Sequence, residues 1–361
     1  LEKNKRLNAL SILLFSGGLL ATSALLVPGI VNHSIAAKNS PIAESSNVGN
    51  TIPVLKVEPP IPVSTLSEEL LGEMTEEEMK EIYDLLNKPG IEPHVTGREM
   101  SETELKRSLV LSDKYVYDGL RPAQPLPLKA GQTEFYLELV TNTLYYPERE
   151  LTDEELLQQI DWFYRTLFIS ARYNNEATVT SPPPSHHFSK DEIKRRASES
   201  VRKLFGAEVS MLETTVMLHE QGNGIRPAWS VNFTPYKSNT LRGQGEEYWE
   251  YNVLIEPETG IVFDTTATNL TLKRTPIDAA AFAAILQDSS WIAKAKRIIT
   301  DNQEETRAIA KAEIIDADVN NKRGMVAVKL VLEDGSSYTA ELRYPGQTLR
   351  SLIYEANGDA E

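Results

Sequence analysis

The stretch YWEYNVLIEPETGIVFDTT, residues 248–266, decides the fold. Trp249, Tyr251, Val253 and Ile255 alternate with Glu250, Asn252, Leu254 and Glu256, the two-residue period of a strand with one buried face. Pro257-Glu258-Thr259-Gly260 carries turn chemistry, since Pro presets φ and Gly accepts a positive φ. Ile261-Val262-Phe263 then returns as the partner strand, completing a β-hairpin.

Working outward, the segment before this hairpin predicts a helix and two strands. Ser189 caps a helix that runs to Phe205 and stops at Gly206. A strand follows over Ala207 to Leu218, then a Gly222-Asn223-Gly224 turn. Trp229, Val231 and Phe233 next alternate with Ser230, Asn232 and Thr234. Residues 237–246 read as a polar loop. The order helix, strand, strand, strand, strand implies an antiparallel sheet with a helix across one face. Beyond Thr275-Pro276 come helical stretches at Ala279–Leu286, Trp291–Ile299 and Glu304–Ala310. Strands are then expected near Ala312–Val319, Met325–Glu333 and Ser337–Tyr344, with Asp334-Gly335 as a hairpin turn.

On the N-terminal side, Thr75/Glu78, Ser101/Glu104, Thr152/Glu155 and Ser189/Glu192 all have capping-box spacing. The first helix carries Met79, Ile82, Leu85 and Leu86 and stops before Pro89. The second ends near Leu111, and a third runs from Asp153 to about Ile169. Between them, residues 134–146 form another hairpin. The fold class is therefore α+β, with antiparallel sheets each packed by helices and the helix-plus-four-strand unit repeated. The expected divisions are 1–36, a signal peptide or membrane anchor; 37–66, a disordered tether rich in Pro; 67–120, a helical segment; 121–180, a hairpin plus helix; and then 181–270 and 271–361, two α+β domains.

The N-terminus sets the compartment. Lys3, Lys5 and Arg6 precede an uncharged run from Leu7 to Val31, followed by the small residues around Ala36-Ala37. That run is long enough to span a bilayer and also has signal-peptide grammar, so it is either cleaved or retained as an anchor. Either way the bulk of the chain is expected outside the cytoplasm, secreted or held at the cell membrane. The absence of cysteine excludes disulfides, thiol catalysis and thiolate metal sites. A net charge of −15 disfavours nucleic acid and anionic polymers as partners.

Four stretches match a family pattern. Phe188-Ser-Lys-Asp-Glu-Ile193, the helix ending at Gly206, Pro227-Ala-Trp229-Ser-Val231 and the run Tyr251 to Val262 with its Glu256-Pro-Glu-Thr-Gly260 turn resemble the PepSY module, the peptidase propeptide/YpeB-type domain. The resemblance covers about residues 189–268. Residues 276–357 look like a looser second copy, with Asp334-Gly335 in place of the Thr-Gly turn. The resemblance implies a non-catalytic module that binds or restrains another protein, often a peptidase, and it supplies no catalytic residue.

Candidate sites are few. Of His33, His94, His186, His187 and His219, none belongs to an H-E-x-x-H motif, because Asn223 stands where a second His would follow His219. Asp316, Asp318 and Asn320 begin like a calcium loop, but Asn321 and Ala327 replace its Gly and Glu. Gly243-Gln244-Gly245 lacks the third glycine of a dinucleotide motif. The expectation is no catalytic residue, no cofactor and no metal. Trp229, Phe233, Trp249, Tyr251 and Phe263 read as core. Tyr236, Arg242 and Tyr248, in or beside the 237–246 loop, are the surface candidates for a protein partner, next to a sheet edge able to accept a strand. The function expected is therefore binding and modulation of an envelope or secreted protein such as a peptidase. Alternatives are a structural or sensory part of a signalling assembly, and an unrecognised hydrolase.

Overall fold

Three helices begin with reciprocal caps, as their sequences require. Thr75 and Glu78 satisfy each other's backbone amides at the start of α1 (Glu76–Leu86), and Ser101 with Glu104 does the same for α2 (Glu102–Tyr117). Thr152 and Glu155 repeat the device before α3 (Asp153–Thr178). The computed structural model describes residues 74–88, 93–129, 131, 133–178, 188–219 and 226–357. The expected N-terminal apolar run, the Pro-rich tether, His33, His186, His187 and the Gly222–Gly224 turn lie outside those residues. Among the described residues no helix is long and apolar enough to cross a membrane. Contacts divide the chain into two units, one ending at Thr178 and the other beginning at Val179.

In the first unit α2 and α3 run longer than their apolar spacing suggests. Past Leu111, α2 buries Ser112, Asp113 and Tyr115 instead of ending. The Tyr115 hydroxyl donates to Asp161 of α3 at 2.8 Å, so a polar-looking face is an interior one. The short strands β1 (His94–Thr96), β2 (Tyr136–Glu138) and β3 (Thr143–Tyr145) form a sheet in the order β1-β3-β2. The hairpin β2–β3 was expected; β1, parallel to β3, was not, and His94 is an exposed residue of it.

The fully buried Glu104 ties this unit together. Both its oxygens accept from Arg98 at 2.6 Å, and it also accepts from the N–H groups of Ser101 and Leu151. Burial alone would push its carboxyl up; Arg98 and the two amides more than reverse this and hold it at about 2.

The second unit opens with α4 (Lys190–Phe205), closed by Gly206 at φ 64°. Here only half the capping box forms. Ser189 accepts from the Glu192 amide, while the Glu192 carboxylate turns to Arg195 and Arg196. The strands that follow are β4 (Glu213–His219), β5 (Ala228–Thr234), β6 (Glu250–Ile255) and β7 (Val262–Thr268). Between β5 and β6 the expected polar loop is a short helix, α5 (Ser238–Gln244).

The opening hairpin is locked to the start of α4. Gly260 has φ 69°, and a Cβ there would lie 2.8 Å from Phe188 Cζ, so the turn can close on the ring only with glycine. Arg196 lies over that ring and donates to the Gly260 carbonyl.

The second half repeats the plan with α6 (Ala279–Gln287) and α7 (Ser290–Arg297), the latter widening into a π-type turn at Ile298–Asn302. Glu304 then adopts φ 57°, which ends helical structure where residues 304–310 had been expected to continue it. The strand placed at Ala312–Val319 is β8 (Ile309–Ile315), followed by the short helix α8 (Asp318–Lys322). Then come β9 (Met325–Leu332), β10 (Ser337–Arg343) and β11 (Thr348–Glu355), the last not anticipated.

Each half is thus a four-stranded meander, and β11 joins them. It pairs antiparallel with β7 through Ser351–Thr266, Leu352–Thr265 and Ile353–Asp264. The result is one eight-stranded sheet in the order β4-β5-β6-β7-β11-β10-β9-β8. Ile193, Ala197 and Val201 of α4 pack on Val231, Phe233, Val253 and Ile255; Trp291, Ala295 and Ile299 pack on Val328, Leu330, Ala340 and Leu342. Leu204 of α4 belongs to the second cluster, so the two cores meet at the joint.

Two outcomes follow from this architecture. Because the Glu104 carboxyl sits below its ordinary 4.5, its contribution is fully present above that pH and is lost as pH falls toward about 2. E104Q should therefore lower the stability of the first unit by about 3 kcal/mol at pH 7, with the gap to wild type closing in acid denaturation. Separately, L352P in the central joint should cost about 3 kcal/mol or more in urea unfolding, while a substitution at exposed Val319 leaves the midpoint unchanged.

Candidate functional site

The face of the sheet opposite α4 carries a polar row. Asn232, Asn252, Thr266, Ser351 and Glu341 stand in register across β5, β6, β7, β11 and β10. Asn252 donates to Asn232 at 2.7 Å, and the Ser351 hydroxyl donates to Glu341 at 2.9 Å. Arg350 also pairs with Glu341. Beside them Asp264 accepts from Thr266 at 2.8 Å. Burial pushes the Asp264 carboxyl up to about 6; the Thr266 hydroxyl and Arg350 offset this only in part, and Glu341 adds to it. These residues come from separate segments, so nothing contiguous in the sequence marks them.

The expected surface candidates are only partly brought together. Tyr236 is 39% exposed, with the Lys237 ammonium 5.5 Å from its ring centre. Tyr248, placed at the surface by its polar neighbours, is buried at 7% exposure, and its hydroxyl serves the Glu250 carboxylate. Burial pushes Glu250 up and pulls the half-buried Arg242 guanidinium down, while their mutual attraction works against both shifts. Arg242, Tyr248 and Glu250 thus form one partly desolvated cluster. The segment bearing them joins β5 and β6, which are interior strands, so it does not flank an edge strand as expected.

The aromatic residues divide as well. Trp229 and Phe233 are core, as expected. Trp249 and Phe263 are half-buried and each lies under an arginine, Arg343 at 4.9 Å and Arg226 at 4.7 Å. Phe263 is the extra residue of a bulge between the Leu254–Asp264 and Ile255–Val262 pairs, which accounts for its turning out of the core alternation.

The two outer strands differ. β8 carries exposed Lys311 and half-exposed Glu313, paired at 2.7 Å, the usual protection of an edge. β4, with sequence ETTVMLH, has neither Lys nor Pro, and its described pairing is with β5 alone. At the joint, α4, β7 and β11 border a cleft of about 220 Å³ reached by Arg307, Tyr338 and Ser200. Their polar atoms are already engaged. Arg307 holds Glu305 and Asp334, Tyr338 donates to Glu305, and Ser200 pairs with Thr265 at 2.8 Å. Asp316, Asp318 and Asn320 form no cation loop: Asp316 accepts from Asn321, and Asp318 pairs with Lys322 within α8. Among the described residues no group of His, Asp and Glu is arranged to hold a metal ion.

Fold and surface together define an α+β protein whose second unit is one helix-backed antiparallel sheet with an outer strand, β4, that pairs on one side only among the described residues. No protein-family model matches the chain, and no curated protein matches it. Among solved structures it is similar to the Bacillus megaterium YpeB C-terminal domain, at 15% identity and a TM-score of 0.29, over 46% of this chain and 62% of that one. The likeness is slight.

The position of Asp264 has a measurable consequence. Between its ordinary value of 3.8 and about 6 the folded state holds more of its proton than the unfolded state does, so stability falls as pH rises through that window. D264N should remove this loss and stabilise the second unit by about 1–3 kcal/mol at pH 8, with little gain at pH 4, as read by urea unfolding at the two pH values.

Proposed function

We propose that the chain is an exported or membrane-anchored, non-catalytic binding protein that modulates another envelope or secreted protein, such as a peptidase. The observation that carries this reading is the open outer edge of β4. Among the described residues this seven-residue strand is paired on one side only, which leaves alternate N–H and C=O groups directed outward. An extended segment of a partner adds to such an edge by main-chain hydrogen bonds, and its alternate side chains meet the flanking surfaces. On one side those surfaces are Thr215, Met217 and His219; on the other, Thr214, Val216 and Leu218 join the helix-covered core. The basic residues and apolar run at 3–31 support placement outside the cytoplasm.

A photoreactive residue at position 215, introduced in cells that produce the chain, should form an adduct with a partner through an extended segment. The purified partner should then bind T215K/M217K at least about tenfold more weakly than wild type, since a lysine pair on the edge opposes strand addition. Purified partner that binds the double variant as tightly as wild type would sink the reading.

A further inference from the structure

Four arginines from separate segments converge at one end of the eight-stranded sheet. Arg343 ends β10, opposite Met325 of β9 and Thr348 of β11. Arg323 lies two residues before Met325. Arg350 is the extra residue of a bulge, because Glu341 pairs with Ser351 while Leu342 pairs with Leu349. Arg274 is brought in by the connection after β7. There the Thr275 backbone lies so close to Gly324 that a Cβ on the glycine would come within 2.4 Å of the Thr275 carbonyl oxygen, and Ile277 donates to the Asn321 carbonyl at 2.9 Å.

The cluster has too little negative charge for its positive charge. Arg350 is paired with Glu341. Among the described residues Asp264 is the other carboxylate shown to act on Arg350, and its burial disfavours ionisation. Arg343 spends two donors on the carbonyls of Leu349 and Ala267 and rests on Trp249, which fixes its plane without neutralising it. Among the described residues neither Arg274 nor Arg323 makes an ion pair. Repulsion is felt within the group: burial first, then Arg350 and Arg274, pull Arg343 down to about 10. A chain of net charge −15 keeps these groups together on one patch, open to solvent at Arg274 and half-open at Arg323.

We propose that Arg274, Arg323 and Arg343 form a binding site for a polyvalent oxyanion, phosphate or polycarboxylate in type. The planar guanidinium fork matches two oxygens of such a group, which a lysine ammonium does not. The anion supplies the countercharge that Glu341 alone cannot, with Arg343 already held in place. It comes either from solution or from clustered acidic side chains of a bound protein. The site is separate from the β4 edge, so loss of either leaves the other intact.

The test titrates inorganic phosphate into the full chain by calorimetry, with chloride at matched ionic strength as the control. Saturable phosphate binding is expected, and R274Q/R323Q should weaken it by about tenfold or more. R274Q alone, on an exposed connection, should weaken it measurably with an unchanged circular dichroism spectrum, which separates loss of the site from loss of the fold. A Glu-rich peptide titrated in parallel decides the source: tighter binding than phosphate, competitive with it, assigns the site to an acidic segment, and weaker binding assigns it to the free ion. Chloride reproducing the phosphate heat, or a double variant that binds like wild type, overturns the proposal.

Discussion

The second unit depends on three residue pairs between β7 and β11. A four-stranded meander backed by a helix has two edges, and two such meanders have four. Joining the last strand of one to the last strand of the other removes two of them. Because the joint is antiparallel, it relates the halves by an approximate two-fold axis normal to the sheet. Both helical layers then lie on the same face, and Leu204 of α4 can enter the core of the other half. The hydroxyls of Ser200 and Thr265, buried beneath α4 at this point, satisfy each other. A polar pair costs little there once bonded, and unbonded it would weaken the joint between the halves.

On the opposite face the same joint sets up an electrostatic conflict. Asp264 and Thr266 on β7 meet Ile353 and Ser351 on β11, so a carboxylate that would be solvated on a single meander becomes a partly buried one. Glu341 finds Arg350 and Ser351; Asp264 finds a hydroxyl and a more distant arginine. The bulge that lets Arg350 reach Glu341 also turns it toward Arg343, which concentrates positive charge at that end of the sheet.

How much of this was legible in the sequence varies from element to element. The hairpin at 248–266 was readable because Val253 and Ile255 alternate strictly, and the Gly260 turn is chemically unambiguous. Helix starts were readable because a cap is a local contact between residues three apart. β11 was not readable: a joint strand is covered on both faces and bulged at Arg350, so Leu349, Ser351 and Leu352 show no clean period. The 237–246 segment misled because α5 is preceded by Lys237, at φ 51°, with no side-chain cap to announce it. Of the surface candidates, Tyr236 is exposed as composition suggests. Tyr248 is buried because its hydroxyl has a carboxylate in Glu250, a pairing that depends on the fold around it. Nothing local could assemble the arginine cluster, since positions 274, 323, 343 and 350 meet only once the sheet has closed.

The asymmetry of the two surviving edges is then the structural fact with most bearing on function. An edge strand in water is a hazard, and β8 meets it with a Lys311–Glu313 pair. The same protection on β4 would need only one charged residue in place of Thr215, the most exposed position of that strand. A chain that disposes of two edges by internal pairing and guards a third has the means to close the fourth. Leaving it open is reasonable where a strand is meant to arrive, and the strand's main-chain bonds would be indifferent to the arriving sequence. Selectivity must then come from side chains flanking the edge or from a second contact elsewhere, and a fixed group of guanidiniums would supply such a contact for a partner with acidic residues.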